Sequence, residues 1–171
     1  FLSELPRLFR KKVVPLDVVF IHVSPPDNHG YCSLGVSVEA TVAAIESAKT
    51  VIAQVNPNMP RTFGDGILHV SEIDFLVDVD CPIHEKEEEA ITPLEAKIGA
   101  HIASLIDDKS TLQLGIGSIP NAALANLMNH KDLGLHTEMF SDGVIDLILK
   151  DVINCNYKGV TRGRVLSTFM L

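Results

Sequence analysis

The chain has 171 residues, 46% of them hydrophobic, with 5% aromatic residues, no Trp and a formal net charge of -8. That is apolar material for one or two packed cores, and the acidic balance without a basic stripe argues against nucleic acid or an anionic membrane surface as a partner. Cys32, Cys81 and Cys155 are odd in number, far apart and outside any CxxC. This fits free thiols in a reducing compartment, not a disulfide framework or a cysteine zinc site. No apolar run approaches the roughly 20 residues of a membrane helix, and no signal peptide is visible at Phe1. The chain starts without Met and ends inside VLSTFML, so it reads as a piece of a longer protein.

Residues 3–10 suit a short helix. Residues 16–23, LDVVFIHV, are near-continuously apolar and β-branched, as a strand covered on both faces is. SPPDNHG (24–30) is a loop punctuated by Pro and Gly, and 31–38 suit a strand and turn. EATVAAIESAK (39–49) predicts a helix with Val42, Ala43, Ile45 and Ala48 facing inward. Residues 50–55 predict another buried strand. It runs into NPNMPRTFGDG (56–66), a loop of a length that is often functional. Residues 67–70 resume extended structure, and SEIDFLVDVD (71–80) alternates apolar and acidic residues as a half-exposed strand does.

CPIHEKEEEAIT (81–92) is the most polar stretch. Its acidic run, 85–89, reads as a solvated linker or a first helical turn, and a domain boundary belongs there. The expected organisation is the end of one α/β domain (1–84), an acidic linker (85–92) and the start of a second α/β domain (93–171). Thr92 caps a helix over 93–106. Residues 111–114 then make a short buried strand that stops at a glycine turn, Gly115-Ile116-Gly117. Ser118 suits the cap of a following helix and Pro120 its first turn. Ala122 to Ala125, Leu127 and Met128 supply that helix. A strand at 133–137 delivers Glu138 to its end, Asp142 caps a helix over 142–150, and 164–171 form a last strand. Alternating helices and buried-type strands mean an α/β fold with mainly parallel sheets.

In open α/β sheets, ligands gather at the carboxyl ends of the strands. The glycine turn and Glu138 therefore share a rim. The turn is neither a dinucleotide fingerprint, since Pro120 replaces the third glycine, nor a P-loop, since no GK[ST] follows. Its N–H groups at a helix N-terminus suit a phosphate or an oxyanion formed at a carbonyl; the other reading is a tight corner without function. Glu138 is either a surface carboxylate or a nucleophile toward an acyl group. His136, two residues earlier, falls on the same strand face and can bond that carboxylate or serve structure alone. The seven histidines show no ligand spacing such as HExxH, and no metal site is expected. His22, His69 and His101 read as packing residues, and His29 lies in a loop within reach of a substrate.

Taken together, VSPPDNHGYCSLGVSVEAT (23–41), AQVNPNMPRTFGDGILHVSEID (53–74), LQLGIGSIPNAAL (112–124) and LGLHTEMFSDGVIDL (133–147) resemble the acetyl-CoA hydrolase/transferase family, in its acetate, butyrate and 4-hydroxybutyrate CoA-transferase branch. The resemblance implies two CoA-transferase-like (NagB/RpiA-like) α/β domains, both incomplete here, with the catalytic one beginning at 93. It implies ping-pong transfer of CoA between a short-chain acyl-CoA and a carboxylic acid. Hydrolysis of acyl-CoA and non-catalytic CoA binding are the alternatives. In that family the TE motif before [FL]xDG carries the nucleophile, which is Glu138 here, and the CoA-contacting turn corresponds to Gly115, Ile116, Gly117, Ser118 and Ile119. The first-domain motif with Asn56, Met59 and Arg61 would form the acid pocket; Arg61 pairs either with the substrate carboxylate or within the protein. No cofactor is implied, since the CoA thioester is a substrate. A mitochondrial location in eukaryotes, otherwise cytoplasmic, follows from the same resemblance, while the oligomeric state is left open, with a homo-oligomer among the options. Relatives are more than twice as long, and their later glycine-rich segment lies outside this sequence, so the fragment alone is expected to be inactive. Asp151 and Cys155 stand where relatives tend to have Gly and a small polar residue.

Overall fold

The computed structural model describes residues 1–86 and 90–170. They form two compact units, Phe1–His84 and Glu85–Leu171. Residues 87–89 of the expected acidic linker lie outside the described residues.

In the first unit, β1 (Val18–Val23), β3 (Thr50–Val55) and β5 (Phe75–Asp78) form a parallel sheet in the order β1-β3-β5. The β-branched runs that mark β1 and β3 in the sequence pair in register from Val18↔Thr50 to Val23↔Val55. Ile21, Val23, Val51, Ala53 and Val55 are buried on one face. Val42 and Ile45 of α2 (Thr41–Ser47) pack against that cluster. A short antiparallel pair, β2 (Tyr31–Ser33) with β4 (Ile67–His69), adds Cys32 and Leu68. A 3-10 turn at Leu2–Glu4 and α1 (Leu5–Arg10) precede the sheet, and Arg10 bonds Glu46 of α2 at 2.6 Å.

Two expectations for this unit need correction. The strand at 16–23 was expected to be covered on both faces, yet Val18 and Phe20 are exposed, because among the described residues apolar side chains pack only on the face of Val19, Ile21 and Val23. The half-exposed strand at 71–80 shrinks to β5, and all four of its residues are exposed. Residues 70–72 instead form a 3-10 turn, closed by a capping box between His69 and Glu72.

The second unit holds α3 (Pro93–Ala103), α4 (Ser118–Ala125) and α5 (Gly143–Leu149) around two parallel strand pairs. These are β6 (Thr111–Leu112) with β7 (Gly134–Leu135), and β8 (Met139–Phe140) with β9 (Phe169–Met170). Three of the four sheets in the described residues are parallel, the mainly parallel α/β arrangement that the alternating pattern predicts. Leu124, Leu127, Leu133, Leu135, Val144 and Leu147 are almost fully buried in one core. α3 starts where Thr92 was expected to cap it, and the cap is reciprocal: the Thr92 side chain accepts from the Glu95 N–H, and the Glu95 carboxylate accepts from the Thr92 N–H. α4 ends at Ala125, so Leu127 reaches the core from the turn beyond the helix.

α5 ends in a Schellman motif. The Asp151 N–H donates to Ile148 O, the Val152 N–H donates to Leu147 O, and Val152 and Leu147 share the core. That motif needs a left-handed residue after the cap, and Asp151 has φ 58°. Asp151 thus occupies a backbone conformation that favours glycine. Asp151→Gly is expected to stabilise the unit by about 0.5–1 kcal/mol, measured by urea unfolding, because Gly removes the strain of a β-carbon in this region.

Candidate functional site

Parallel pairing of β6 and β7 sets the site. Thr111 faces Gly134 and Leu112 faces Leu135, and the His136 N–H donates to Leu112 O at 2.9 Å. Beyond this the ladder is continued by a side chain. The buried Thr137 hydroxyl accepts from the Leu114 N–H at 3.0 Å and donates to Leu114 O at 2.7 Å. Leu114 is thereby held beside Thr137. The next residues, Gly115 and Glu138, leave the same carboxyl end of two strands that in a sheet lie about 4.8 Å apart.

Glu138 is exposed, and among the described residues nothing bonds its carboxylate. His136 is exposed on the same side, as the strand period requires, but no hydrogen bond joins its ring to Glu138.

The turn opposite is built of glycines that packing does not explain. A β-carbon at Gly115 or Gly117 would meet no atom within 4 Å. Gly117 also has φ +123°, which excludes most side chains, whereas at Gly115 neither space nor conformation demands glycine. Bare backbone facing open space suits a ligand that approaches the main chain closely. Ile116 and Ile119 flank it, both exposed.

Gly117, not Ser118, is the residue that caps α4, and no side chain closes that cap. The Ser118 hydroxyl instead makes a short hydrogen bond to the Glu95 carboxylate. This bond, together with the Thr92 hydroxyl and N–H, holds the Glu95 carboxyl down at about 2. Glu95 thus ties the start of α3 to the start of α4, beside the turn. The T-x-x-E pattern reveals the cap but not the reach across to residue 118. At the other end of the site the Ser141 hydroxyl donates to Asn121 Oδ1 at 2.5 Å. Asp142 stands at the start of α5 without a side-chain cap bond.

Sequence reasoning also missed Lys158, which is 1% exposed. Its ammonium donates to Leu135 O at 2.8 Å and Arg164 O at 2.9 Å, fastening the 155–165 loop to β7. A β-carbon at Gly134 would lie 2.6 Å from Lys158 Cγ, so this glycine makes room for the lysine stem. A lysine between Tyr157 and Gly159 carries no sequence sign of burial.

The remaining candidates lie in the first unit. Asn56 is fully buried; it donates to Cys81 O at 2.9 Å and accepts from the Asn58 N–H at 3.1 Å. Met59 is buried over Gly35, where a β-carbon would come within 2.2 Å of its sulfur. Arg61 bonds Tyr31 O and Asp27 Oδ2, each at 2.9 Å. The backbone N–H of Tyr31 above all, then that of His29 and the Arg61 charge, hold the Asp27 carboxyl below its usual range. Of the two readings of Arg61, the ion pair within the protein is the one formed. His22 is partly buried, and burial lowers its pKa. All three cysteines are free. Among the described residues no three or more His, Cys, Asp or Glu gather as metal ligands would, and no helix is long and apolar enough to cross a membrane.

In this α/β protein an amide turn stands at the carboxyl rim of parallel strands beside a carboxylate that has no partner among the described residues. Residues 1–91 match the model of the acetyl-CoA hydrolase/transferase N-terminal domain. The chain belongs to the acetyl-CoA hydrolase/transferase family. It is 50% identical, over its whole length, to 40% of the 4-hydroxybutyrate coenzyme A transferase of Clostridium kluyveri. It is 49% identical, again over its whole length, to 36% of the succinyl-CoA:acetate/propanoyl-CoA:succinate CoA transferase of Fasciola hepatica. The crystal structure of 4-hydroxybutyrate CoA-transferase from Porphyromonas gingivalis superposes with a TM-score of 0.95 at 46% identity, over 99% of this chain and 43% of that one. The chain thus spans about two fifths of the length of these relatives. The family model stops at residue 91; the relatives also match the unit that holds Glu138.

Proposed function

We propose that the full-length protein moves coenzyme A between a short-chain acyl-CoA and a carboxylic acid such as acetate, butyrate or 4-hydroxybutyrate. Glu138 is the nucleophile, and the N–H groups of residues 115–119 form the oxyanion and CoA-binding turn. One observation carries this reading: a glycine turn open to ligand approach leaves the same strand ends as a carboxylate with no partner among the described residues. The names of the relatives support it.

A carboxylate oxygen of Glu138 attacks the thioester carbon, and the carbonyl electrons move onto oxygen, facing the amide donors of the turn. Collapse breaks the C–S bond, expels CoA as a thiolate and leaves an acyl-glutamyl anhydride. The thiolate then attacks the glutamyl carbonyl and releases the first acid as its carboxylate, leaving a glutamyl-CoA thioester. A second carboxylate runs these steps in reverse. One thioester replaces another, so the exchange is nearly thermoneutral. No electron or net proton is transferred, and these steps call for no metal or redox cofactor.

The test uses full-length protein and acyl-CoA. Without acceptor, mass spectrometry of the peptide containing Glu138 is expected to show added CoA, and turnover is expected only after acetate or butyrate is supplied. CoA release that ignores the acceptor would make the protein a hydrolase. Absence of both label and turnover would make it a binding module.

A further inference from the structure

The main-chain oxygen of Glu138 accepts four hydrogen bonds. The donors are the Thr168 N–H at 3.0 Å, the Phe169 N–H at 3.1 Å, the Ser167 hydroxyl at 2.9 Å and the Thr168 hydroxyl at 3.2 Å. Parallel pairing of Met139 with Phe169 accounts for the Phe169 bond alone. The other three exceed what a two-residue strand pair supplies, and four donors exceed the two lone pairs of one carbonyl. The Ser167 hydroxyl also lies 3.1 Å from Phe169 O, so its single hydrogen has a second acceptor within reach, and the Glu138 contact is the shorter. On the preceding side, Thr137 is bonded to both backbone groups of Leu114 and lies 3.1 Å from Met139 O. The main chain at 137–139 is therefore held from both sides, while among the described residues no bond holds the Glu138 side chain.

We infer that Ser167 and Thr168 are positioning residues that fix the backbone of Glu138, so that its carboxylate meets the acyl carbon from one direction. The inference rests on the function proposed above. Fixing the carbonyl fixes the peptide plane between residues 138 and 139, and with Thr137 held on the preceding side it restricts the direction in which the side chain leaves the main chain. Only side-chain rotations remain to be frozen when substrate binds. Attack needs the reacting atoms about 3–3.5 Å apart and aligned, and a displacement of about 1 Å costs on the order of a hundredfold in rate. The clamp grips the main chain and not the carboxylate, so it persists unchanged as the side chain passes from carboxylate to anhydride to thioester.

In full-length protein, Ser167→Ala with Thr168→Val is expected to slow formation of the CoA adduct on Glu138 by about tenfold in single-turnover mass spectrometry, short of the hundredfold of a full 1 Å displacement. KM for acyl-CoA should change less than about twofold, since the clamp acts on orientation and not on substrate binding. Ser167→Thr with Thr168→Ser keeps both hydroxyls and should restore the rate. Ser167→Ala alone, at a half-buried position, is expected to lose about threefold and carries the test if the double variant unfolds. Adduct formation at the unmodified rate in a folded Ser167→Ala or double variant would overturn the clamp alone. So would a fall in kcat matched by an equal rise in KM. Failure of the unmodified protein to form the adduct would overturn the nucleophile assignment, and the clamp with it.

Discussion

Glu138→Ala in the full-length protein is expected to cut turnover by about a thousandfold or more while leaving the unfolding midpoint almost unchanged. The two halves of this expectation come from different features of the same residue. On the chemical side, removing the nucleophile removes the covalent route, and losses of 10³-fold to 10⁶-fold accompany such removals. The turn at 115–119 remains, so binding of acyl-CoA should persist even as the adduct disappears. On the structural side, the carboxylate is exposed and makes no bond among the described residues. Substitutions at such positions shift stability by no more than about 0.5 kcal/mol. Initial rates with acyl-CoA and acetate measure the first half, and urea unfolding measures the second. Transfer within tenfold of the unmodified rate would show that another residue carries the acyl group. A large loss of stability would show that Glu138 has a structural role that its lack of partners does not reveal.

What could be read in advance was whatever depends on neighbours in sequence. The β-branched runs gave β1 and β3, Thr92 gave the start of α3, and the glycine turn and Glu138 fell at strand ends because the pattern alternates. What escaped depends on residues that meet only in space. Ser118 looks like a cap, but Glu95, 23 positions earlier, takes its hydroxyl and leaves the capping position to Gly117. Arg61 had two equally legible partners, and Asp27 holds it. Lys158 has the sequence surroundings of a surface residue, and only the carbonyls of Leu135 and Arg164 allow its charge to be buried. A final strand was expected over 164–171, whereas among the described residues it spans only Phe169–Met170, and the hydroxyls of Ser167 and Thr168 turn toward Glu138. The resemblance to a family pointed to Glu138 as the proposed nucleophile, and it said nothing of what holds its backbone in place.

Gly99→Ala is expected to destabilise the second unit by about 2 kcal/mol or more, the largest stability effect among these substitutions. Two opposing effects decide the sign. Alanine favours the helical backbone of α3 over glycine by about 1 kcal/mol. Against this, a β-carbon at Gly99 would lie 2.4 Å from both the carbonyl carbon and oxygen of Ala122, and 2.8 Å from the Ala123 nitrogen. These are main-chain atoms of α4, so no side chain can swing aside. Restoring an ordinary carbon contact of about 3.5 Å requires the two helices to separate by about 1 Å. Overpacking of a well-filled core typically costs about 1–3 kcal/mol, and a contact with rigid backbone belongs at or above the upper end. Gly159→Ala is the control, since a β-carbon there meets nothing within 4 Å. Urea unfolding of the two variants should separate them clearly; equal midpoints would mean that α3 and α4 do not pack this closely. The same displacement has a second consequence. The 115–117 turn leads directly into α4, so moving the helix by about 1 Å moves the proposed oxyanion donors relative to the Glu138 carboxylate. In the full-length protein, Gly99→Ala should therefore lower kcat even at temperatures where it remains folded, on the order of a hundredfold if the whole displacement reaches the turn. A folded Gly99→Ala protein with undiminished kcat would mean that the turn is held by Glu95 and Ser118 rather than by the helix it opens.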